Sequence, residues 1–193
     1  RFRAAPRDRR LVAYAQLESV WPVHGSVLVD DQLSGGVPTA YVAAGRSSHL
    51  DGGIYLYALA LTTGTLRHKV RICQTGGRGE GRIRQPALPG ILSVQDGAVW
   101  MRGLGVDAGL APVEDRPHLF APRGFLDDTW WHRTYWVYGT AIGGGYTNWP
   151  TVGNAAPAGR LLAYDGGEFI YGYGRMVYRA GAGHVRPEMA KDY

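Results

Sequence analysis

Residues 89–101 read PGILSVQDGAVWM: a short apolar segment, an Asp-Gly pair and a second apolar segment. An Asp-Gly pair between β-forming residues is a strong hairpin signal, because both central positions of the tight turn need a positive φ. Residues 159–171, GRLLAYDGGEFIY, have the same organisation. Two copies of one hairpin in a single chain predict a protein built from repeated β units.

A third copy of the hairpin lies near the start of the chain. Residues 25–31 and 40–44 are apolar and strand-like, and a longer turn separates them. The glycines that begin the three copies, Gly25, Gly90 and Gly159, are 65 and 69 residues apart. A near-constant spacing of this kind predicts stacked units or blades and not a single sandwich.

Two further strands follow the first copy. Residues 54–59 are apolar and rich in tyrosine, and residues 62–65, TTGT, are typical of a turn. Residues 66–72 then alternate, with Leu66, His68, Val70 and Ile72 on one face and the basic residues Arg67, Lys69 and Arg71 on the other. This period of two predicts a strand with one solvent-exposed face, suited to the outer edge of a sheet. Four antiparallel strands in a short stretch form the unit of a β-propeller blade.

The composition agrees with an all-β fold. The 193 residues include 29 glycines, 11 prolines, 12 tyrosines and 6 tryptophans, which favour turns and strands over long helices. No apolar run approaches the roughly 20 residues of a membrane helix, so we expect no membrane span. The chain has one cysteine, Cys73, which excludes a disulfide within the chain and a cysteine-based zinc site.

The net charge of +5 is concentrated at one end of the sequence. Five arginines and one aspartate in residues 1–10 contribute +4 of it. A protein that binds nucleic acid is expected to carry a basic stripe across its folded surface. We therefore expect no nucleic-acid partner.

Residues 58–68, ALALTTGTLRH, resemble the repeat of quinoprotein (PQQ-type) β-propellers, Ala-x-Asp-x-x-Thr-Gly-x-x-x-Trp. Ala58, Thr63 and Gly64 match that repeat. Ala60 stands in place of its aspartate, and His68 in place of the tryptophan that docks one blade on the next. The resemblance therefore implies a degenerate PQQ-like repeat.

Longer strings carry a closer resemblance. Residues 21–29, 44–53 and 126–133 resemble parts of large, exported PQQ-like propeller proteins of planctomycete-type bacteria. That resemblance implies an all-β internal segment of a longer propeller, with about three four-stranded antiparallel blades out of the roughly four to eight that close a ring. It also implies a periplasmic or otherwise exported location.

The same resemblance divides the chain into units of one propeller segment. Residues 1–20 would be the tail of a preceding blade and a linker. Residues 21–83 and 84–149 would be two blades, and residues 150–193 a partial blade. The expected partners are then the remaining blades of a longer chain, or another protein that completes the ring.

Residues 127–133 combine several side chains that are suited to binding or catalysis. Paired acids beside a histidine are suited to acid–base work or to holding a cation, and aromatic rings are suited to stacking on a sugar or a quinone. The alternative is structural: an acid caps a turn, a tryptophan enters the core and the arginine forms an ion pair. The candidates for ligand binding in this string are Asp127, Asp128, Trp130, Trp131, His132 and Arg133.

A second set of candidates lies in the loop between two predicted strands, where Arg46, His49 and Asp51 are suited to contact an anion or another ligand. The alternative is a turn held by Asp51, with Arg46 and His49 as its partners. Ser48 would complete the residue types of a nucleophilic triad, but these residues are too close in sequence to assemble one. His24, at a strand start, is a further ligand candidate beside the alternative of a satisfied, partly buried histidine.

Two functions from different classes follow. The first is a non-catalytic propeller segment that acts as an exported binding or protein-interaction scaffold, with a small molecule or glycan as a candidate ligand. The second is part of a quinoprotein dehydrogenase or carbohydrate-oxidising enzyme, in which the resemblance implies PQQ with calcium as the cofactor. The lone Cys73 leaves out the vicinal cysteine pair of that enzyme family, so no catalytic residue is assigned, and the non-catalytic function is favoured.

Overall fold

The chain is an all-β protein in the part that the structure describes, which confirms the all-β part of the prediction. The structure, a computed structural model, describes residues 2–13, 15–23, 25, 27–74, 81–84, 87–120 and 136–140, and the backbone of strands between residues 158 and 189. No helix occurs in these ranges, so they contain no helix long and apolar enough to span a membrane.

The described strands are numbered in chain order. They are β1 (Arg10–Ala13), β2 (Gln16–Ser19), β3 (Leu28–Asp30), β4 (Thr39–Ala44), β5 (Ile54–Ala60), β6 (Leu66–Ile72), β7 (Arg82–Ile83), β8 (Leu92–Gln95), β9 (Ala98–Met101), β10 (Leu104–Val106), β11 (His118–Phe120), β12 (Trp136–Gly139), β13 (Ala158–Gly159), β14 (Leu162–Tyr164), β15 (Phe169–Gly172), β16 (Met176–Gly181) and β17 (His184–Met189).

These strands form small, mostly antiparallel sheets. The orders are β1-β2, β3-β4-β5-β6-β7, β10-β9-β8, β11-β12-β13 and β14-β15-β16-β17. Neighbours are antiparallel except β6 and β7, where the Arg71 N–H donates to the Gly81 carbonyl and the Cys73 N–H to the Ile83 carbonyl. The sheet sizes thus vary from two to five strands, and the unit of four strands occurs in β14–β17.

All three predicted hairpins are present as antiparallel pairs. In β8-β9 the turn residues Asp96 and Gly97 have φ of 51° and 74°, as a tight two-residue turn requires. Strands β3 and β4 pair with Leu28 opposite Tyr41, and β14 and β15 pair with Leu162 opposite Gly172. For β8-β9, the Asp-Gly turn therefore predicted the pairing correctly.

Strands β4 and β5 of the five-stranded sheet β3–β7 have side chains in two cores, one on each face of the sheet. Strand β4 has the continuous apolar sequence TAYVAA, and all six of its residues are buried. One face packs on the sheet β8–β10, and burying each large aliphatic side chain there stabilises the fold by about 1.5–3 kcal/mol. This first core contains Tyr41, Ala43, Ile54, Leu56, Ala58, Val70 and Ile72 together with Leu92, Val99, Met101, Leu104 and Val106.

The opposite face of the same sheet is covered by the beginning of the chain. Val20 and Trp21 are buried there, and Ala4, Ala5 and Leu11 pack around them. The sheet contributes Ala40, Val42, Ala44, Tyr57 and Leu59 to this second core. Residues 4–13 and 15–21 therefore form a layer over β4 and β5, which we call the N-terminal layer.

Strand β6 was predicted to lie at the outer edge of its sheet, with one face exposed to solvent. Residues 66–69 are exposed, whereas Val70 and Ile72 are buried in the first core. The edge is partly covered, because β7 pairs with Arg71 and Ile72. Strand β7 has only two residues, too few to show the alternation of side chains that would have predicted a strand.

Candidate functional site

The loop between β4 and β5 holds the candidate residues that the structure describes. Arg46, His49 and Asp51 lie there, between Gly45 and Gly52, which both have a positive φ. The remaining candidates lie outside the described residues: His24, Asp127, Asp128, Trp130, Trp131, His132 and Arg133.

Asp51 is the centre of this loop. Its φ of 51° lies in the left-handed region, which aspartate tolerates better than most residues. Its carboxylate accepts a hydrogen bond from Arg46 Nη2, and Arg9 Nη1 of the N-terminal layer lies 3.6 Å from the other oxygen. The Asp51 carbonyl accepts from Trp21 Nε1 at 3.1 Å. The turn held by Asp51 with Arg46 as partner is therefore present, and it also binds the N-terminal layer.

His49 does not take part in that turn through its ring. Its backbone N–H donates to Ser47 Oγ at 3.2 Å, and the residue is exposed. The predicted partnership of His49 with Asp51 is thus absent from the described contacts of the loop. A ligand contact by His49 stays a prediction.

Ser48 anchors the loop to the strands beside it. Its Oγ accepts from the Ala87 N–H at 2.9 Å, and its own N–H donates to the Ala87 carbonyl at 2.9 Å. Its carbonyl accepts from the Gln74 N–H at 3.1 Å. Ser48 is completely buried and has no access to water, so these contacts provide the hydrogen-bond partners that its polar groups need.

A surface of cations and tyrosines adjoins the loop. Arg71 Nε donates to the Gly52 carbonyl, and the Arg71 guanidinium lies 5.9 Å from the centre of the Tyr55 ring. Lys69 Nζ lies 5.0 Å from the Tyr55 ring centre and 5.7 Å from that of Tyr57. The two tyrosine rings are stacked with centroids 6.3 Å apart. The sequence indicated the alternation in β6 but not that these cations lie on tyrosine rings of β5.

Tyr57 joins this surface to the N-terminal layer. Its hydroxyl donates to the Ala4 carbonyl at 2.6 Å, and Phe2 contacts its ring edge-on with centroids 5.1 Å apart. Burial raises the pKa of Tyr57 from 10.0 to about 12, and the neighbouring Tyr55 adds to the rise. The neutral phenol is therefore the form that the fold holds.

Tyr57→Phe should remove a pH dependence of stability. Because the folded pKa is raised, the Tyr57 contribution is complete below pH 10 and is lost as the pH rises from 10 towards 12. Below pH 10 the variant should be less stable by about 1 kcal/mol, the net value of a hydrogen bond. Urea unfolding of both proteins from pH 8 to 12 should show this difference shrinking above pH 10. Tyr55→Phe, which keeps the Ala4 contact, is the control, and a pH-independent difference would contradict the assignment.

A second polar group lies inside the fold around His118, which the sequence gave no pattern to single out. His118 begins β11, is completely buried and stacks on Trp100 of β9 with ring centroids 3.8 Å apart. Its Nδ1 lies 2.7 Å from the Arg116 carbonyl and its Nε2 lies 2.6 Å from the Arg102 carbonyl. Burial raises the pKa of nearby Asp115, and the charge of His118 opposes that rise. His118 thus ties β11 to the β9–β10 turn.

The described side chains offer no cluster for a metal ion. No three His, Cys, Asp or Glu side chains come together among the residues that the structure describes. The carboxylate of Asp51 is engaged by two arginines, which makes it a poor calcium ligand.

Comparison with known proteins gives no relative. No protein-family model matches the chain, and no curated protein or solved structure matches it either. Its function is therefore inferred from its own residues.

Proposed function

We propose that this chain is a section of a PQQ-like β-propeller that serves as a non-catalytic, exported interaction scaffold. The observation that carries the proposal is the burial of strands β4 and β5 on both faces of their sheet, by β8–β10 on one side and by the N-terminal layer on the other. A blade inside a propeller is covered in this way by its two neighbours. The near-constant spacing of the three hairpins agrees with such a repeat.

The contact between the N-terminal layer and the sheet supports a blade-like arrangement. Trp21 is buried against the sheet and donates its indole N–H to the Asp51 carbonyl. A tryptophan that docks one blade on the next is a feature of the repeat that residues 58–68 resemble. Position 68, where that tryptophan belongs, holds an exposed histidine. Trp21 would thus supply from the preceding layer the docking that the degenerate repeat lacks.

The polar groups of the described loop support a scaffold over an enzyme. Asp51 is held by Arg46 and Arg9, and the Ser48 hydroxyl accepts from a backbone N–H. A general base or nucleophile must reach a substrate, whereas these groups are engaged in contacts within the fold. Their role in the proposal is to hold the layers together.

A cofactor titration tests the proposal. The purified chain is titrated with PQQ in the presence of calcium, and tryptophan quenching and quinone absorbance are recorded. The scaffold predicts no saturable change and no dye-linked dehydrogenase activity in a sample whose circular dichroism shows a folded β protein.

The opposite result would identify a quinoprotein. Saturable PQQ binding that is lost in Trp131→Ala or Asp128→Ala would overturn the scaffold proposal. Trp21→Phe is the matched control, because Trp21 is engaged with Asp51 in a structural contact. A folded chain that binds no PQQ leaves the scaffold standing.

A further inference from the structure

The cations of β6 share a face with the tyrosines of β5. Lys69 is opposite Tyr57 and Arg71 is opposite Tyr55 in the antiparallel register. Arg67, next to them, is the extra residue where the register shifts, and it is exposed. No acidic residue occurs in β5 or β6 to balance these charges. This part of the surface is therefore purely cationic.

The cationic surface continues across the β4–β5 loop. Arg71 contacts the Gly52 carbonyl. The preceding residue, Asp51, is held by Arg46 and Arg9. We call the run formed by Lys69, Arg71, Arg46 and Arg9 the cationic path. Two of its four positive charges, those of Arg46 and Arg9, contact the Asp51 carboxylate, so a net positive charge remains for a partner. Arg9 side-chain exposure is 66%, which leaves its guanidinium open to one.

The fold thereby gathers charges that are far apart in sequence. The arginines of residues 1–10 accounted for most of the net charge. Phe2 and Ala4 contact Tyr57, and Arg9 contacts Asp51, so this segment lies beside Lys69 and Arg71. A charged patch made from two separate segments attracts anionic partners over about one Debye length, roughly 8–10 Å.

The chemistry of the path favours carboxylates. Guanidinium groups bind carboxylates through charge-assisted hydrogen bonds, as Arg46 Nη2 does with Asp51 within the path itself. Nucleic-acid bases need open aromatic faces for stacking. Here Lys69 lies over both tyrosine rings, and Arg71 lies over that of Tyr55. Charge, and not stacking, is what the surface offers.

We propose that the cationic path binds an acidic polypeptide segment of a partner protein, with glutamate or aspartate side chains engaging Lys69, Arg71 and Arg9. This inference rests on the proposed scaffold function and names the class of its partner. Charged residues on a sheet edge also prevent pairing between identical edges. A row of cations serves both purposes, because it repels a second copy of itself and attracts an acidic chain.

Peptide binding tests the inference. The probe is a fluorescein-labelled peptide of alternating glutamate and serine, and its anisotropy is followed as the chain is added at low and physiological salt. We expect saturable binding that weakens as salt rises. Lys69→Gln and Arg9→Gln should each lower the affinity by about threefold, and the double variant by about tenfold.

A matched variant separates the path from net charge. His68→Glu lowers the formal charge by one, as Lys69→Gln does, but lies on the neighbouring position of β6, opposite Ala58 of the first core. It should change the affinity by less than about twofold. Equal losses in the two variants would overturn the inference.

Competing ligands complete the test. A glutamine-serine peptide should not bind, and heparin and single-stranded oligothymidylate of matched charge should bind more weakly than the glutamate peptide. Tighter binding of either polyanion would overturn the choice of an acidic polypeptide. The PQQ titration is independent of these results, so absence of both PQQ and peptide binding refutes the partner class alone, whereas PQQ binding refutes the scaffold.

Discussion

Gly53→Ala is expected to destabilise the native fold strongly, and by more than Gly64→Ala. Gly53 immediately precedes β5 and has a φ of 106°, a conformation that residues with a Cβ rarely adopt. A Cβ at this position would lie 2.2 Å from the Ile72 carbonyl oxygen and 2.8 Å from Cys73 Cβ. Both atoms belong to the end of β6 or the residue after it, so the clash separates the two strands where they pair.

The expected cost is large because no flexible side chain absorbs the clash. Ile54 and Ile72 pair directly beside it, and both are completely buried in the first core. Moving the Ile72 carbonyl disturbs that pair as well as the backbone. We expect a loss of about 3–5 kcal/mol, which is a large part of the stability of a typical domain. Urea unfolding followed by circular dichroism measures it.

Gly64→Ala is the matched control. Gly64 also has a positive φ, 70°, but an added Cβ there meets nothing within 4 Å. Its substitution should cost only about 1–2 kcal/mol, the backbone strain of the left-handed region. If the two variants were equally stable, the close approach of β6 to Gly53 would be refuted.

The sequence was informative where the determining contacts are local. The hairpin β8-β9 follows from Asp96 and Gly97, and the alternation of residues 66–72 identified β6. Strand β7 and the individual contacts of the N-terminal layer with β4 and β5 were not predicted. Their positions depend on contacts across long stretches of chain, such as Cys73 with Ile83 and Tyr57 with Ala4, for which no sequence period exists.

The same distinction applies to the candidate site. The contact of Arg46 with Asp51 spans five residues and was among the sequence alternatives. Arg9 and Trp21 reach Asp51 from another segment, and only the fold brings them there. The contacts of His118 were not predicted either. Its partners are backbone carbonyls, which occur in every sequence and therefore give no pattern to recognise.

His118→Ala should be the most destabilising histidine substitution in the described part of the chain. It removes a ring stacked on Trp100 and leaves a cavity next to Phe120, whose ring centre lies 5.1 Å from that of His118. It also leaves the Arg102 and Arg116 carbonyls without these contacts. Losing a buried aromatic ring costs about 3–5 kcal/mol. Urea unfolding at neutral pH gives the change in free energy of unfolding.

His118→Phe divides that loss between packing and hydrogen bonding. Phenylalanine keeps a ring of similar size against Trp100 but donates to neither carbonyl, so we expect it to cost about 1–3 kcal/mol. His68→Ala, at an exposed position of β6, should change stability by no more than about 0.5 kcal/mol. A wild-type stability for His118→Phe would mean that the two carbonyl contacts contribute nothing and that stacking alone joins β11 to β9. The intermediate value that we expect would assign to His118 both the packing and the polar link between these strands.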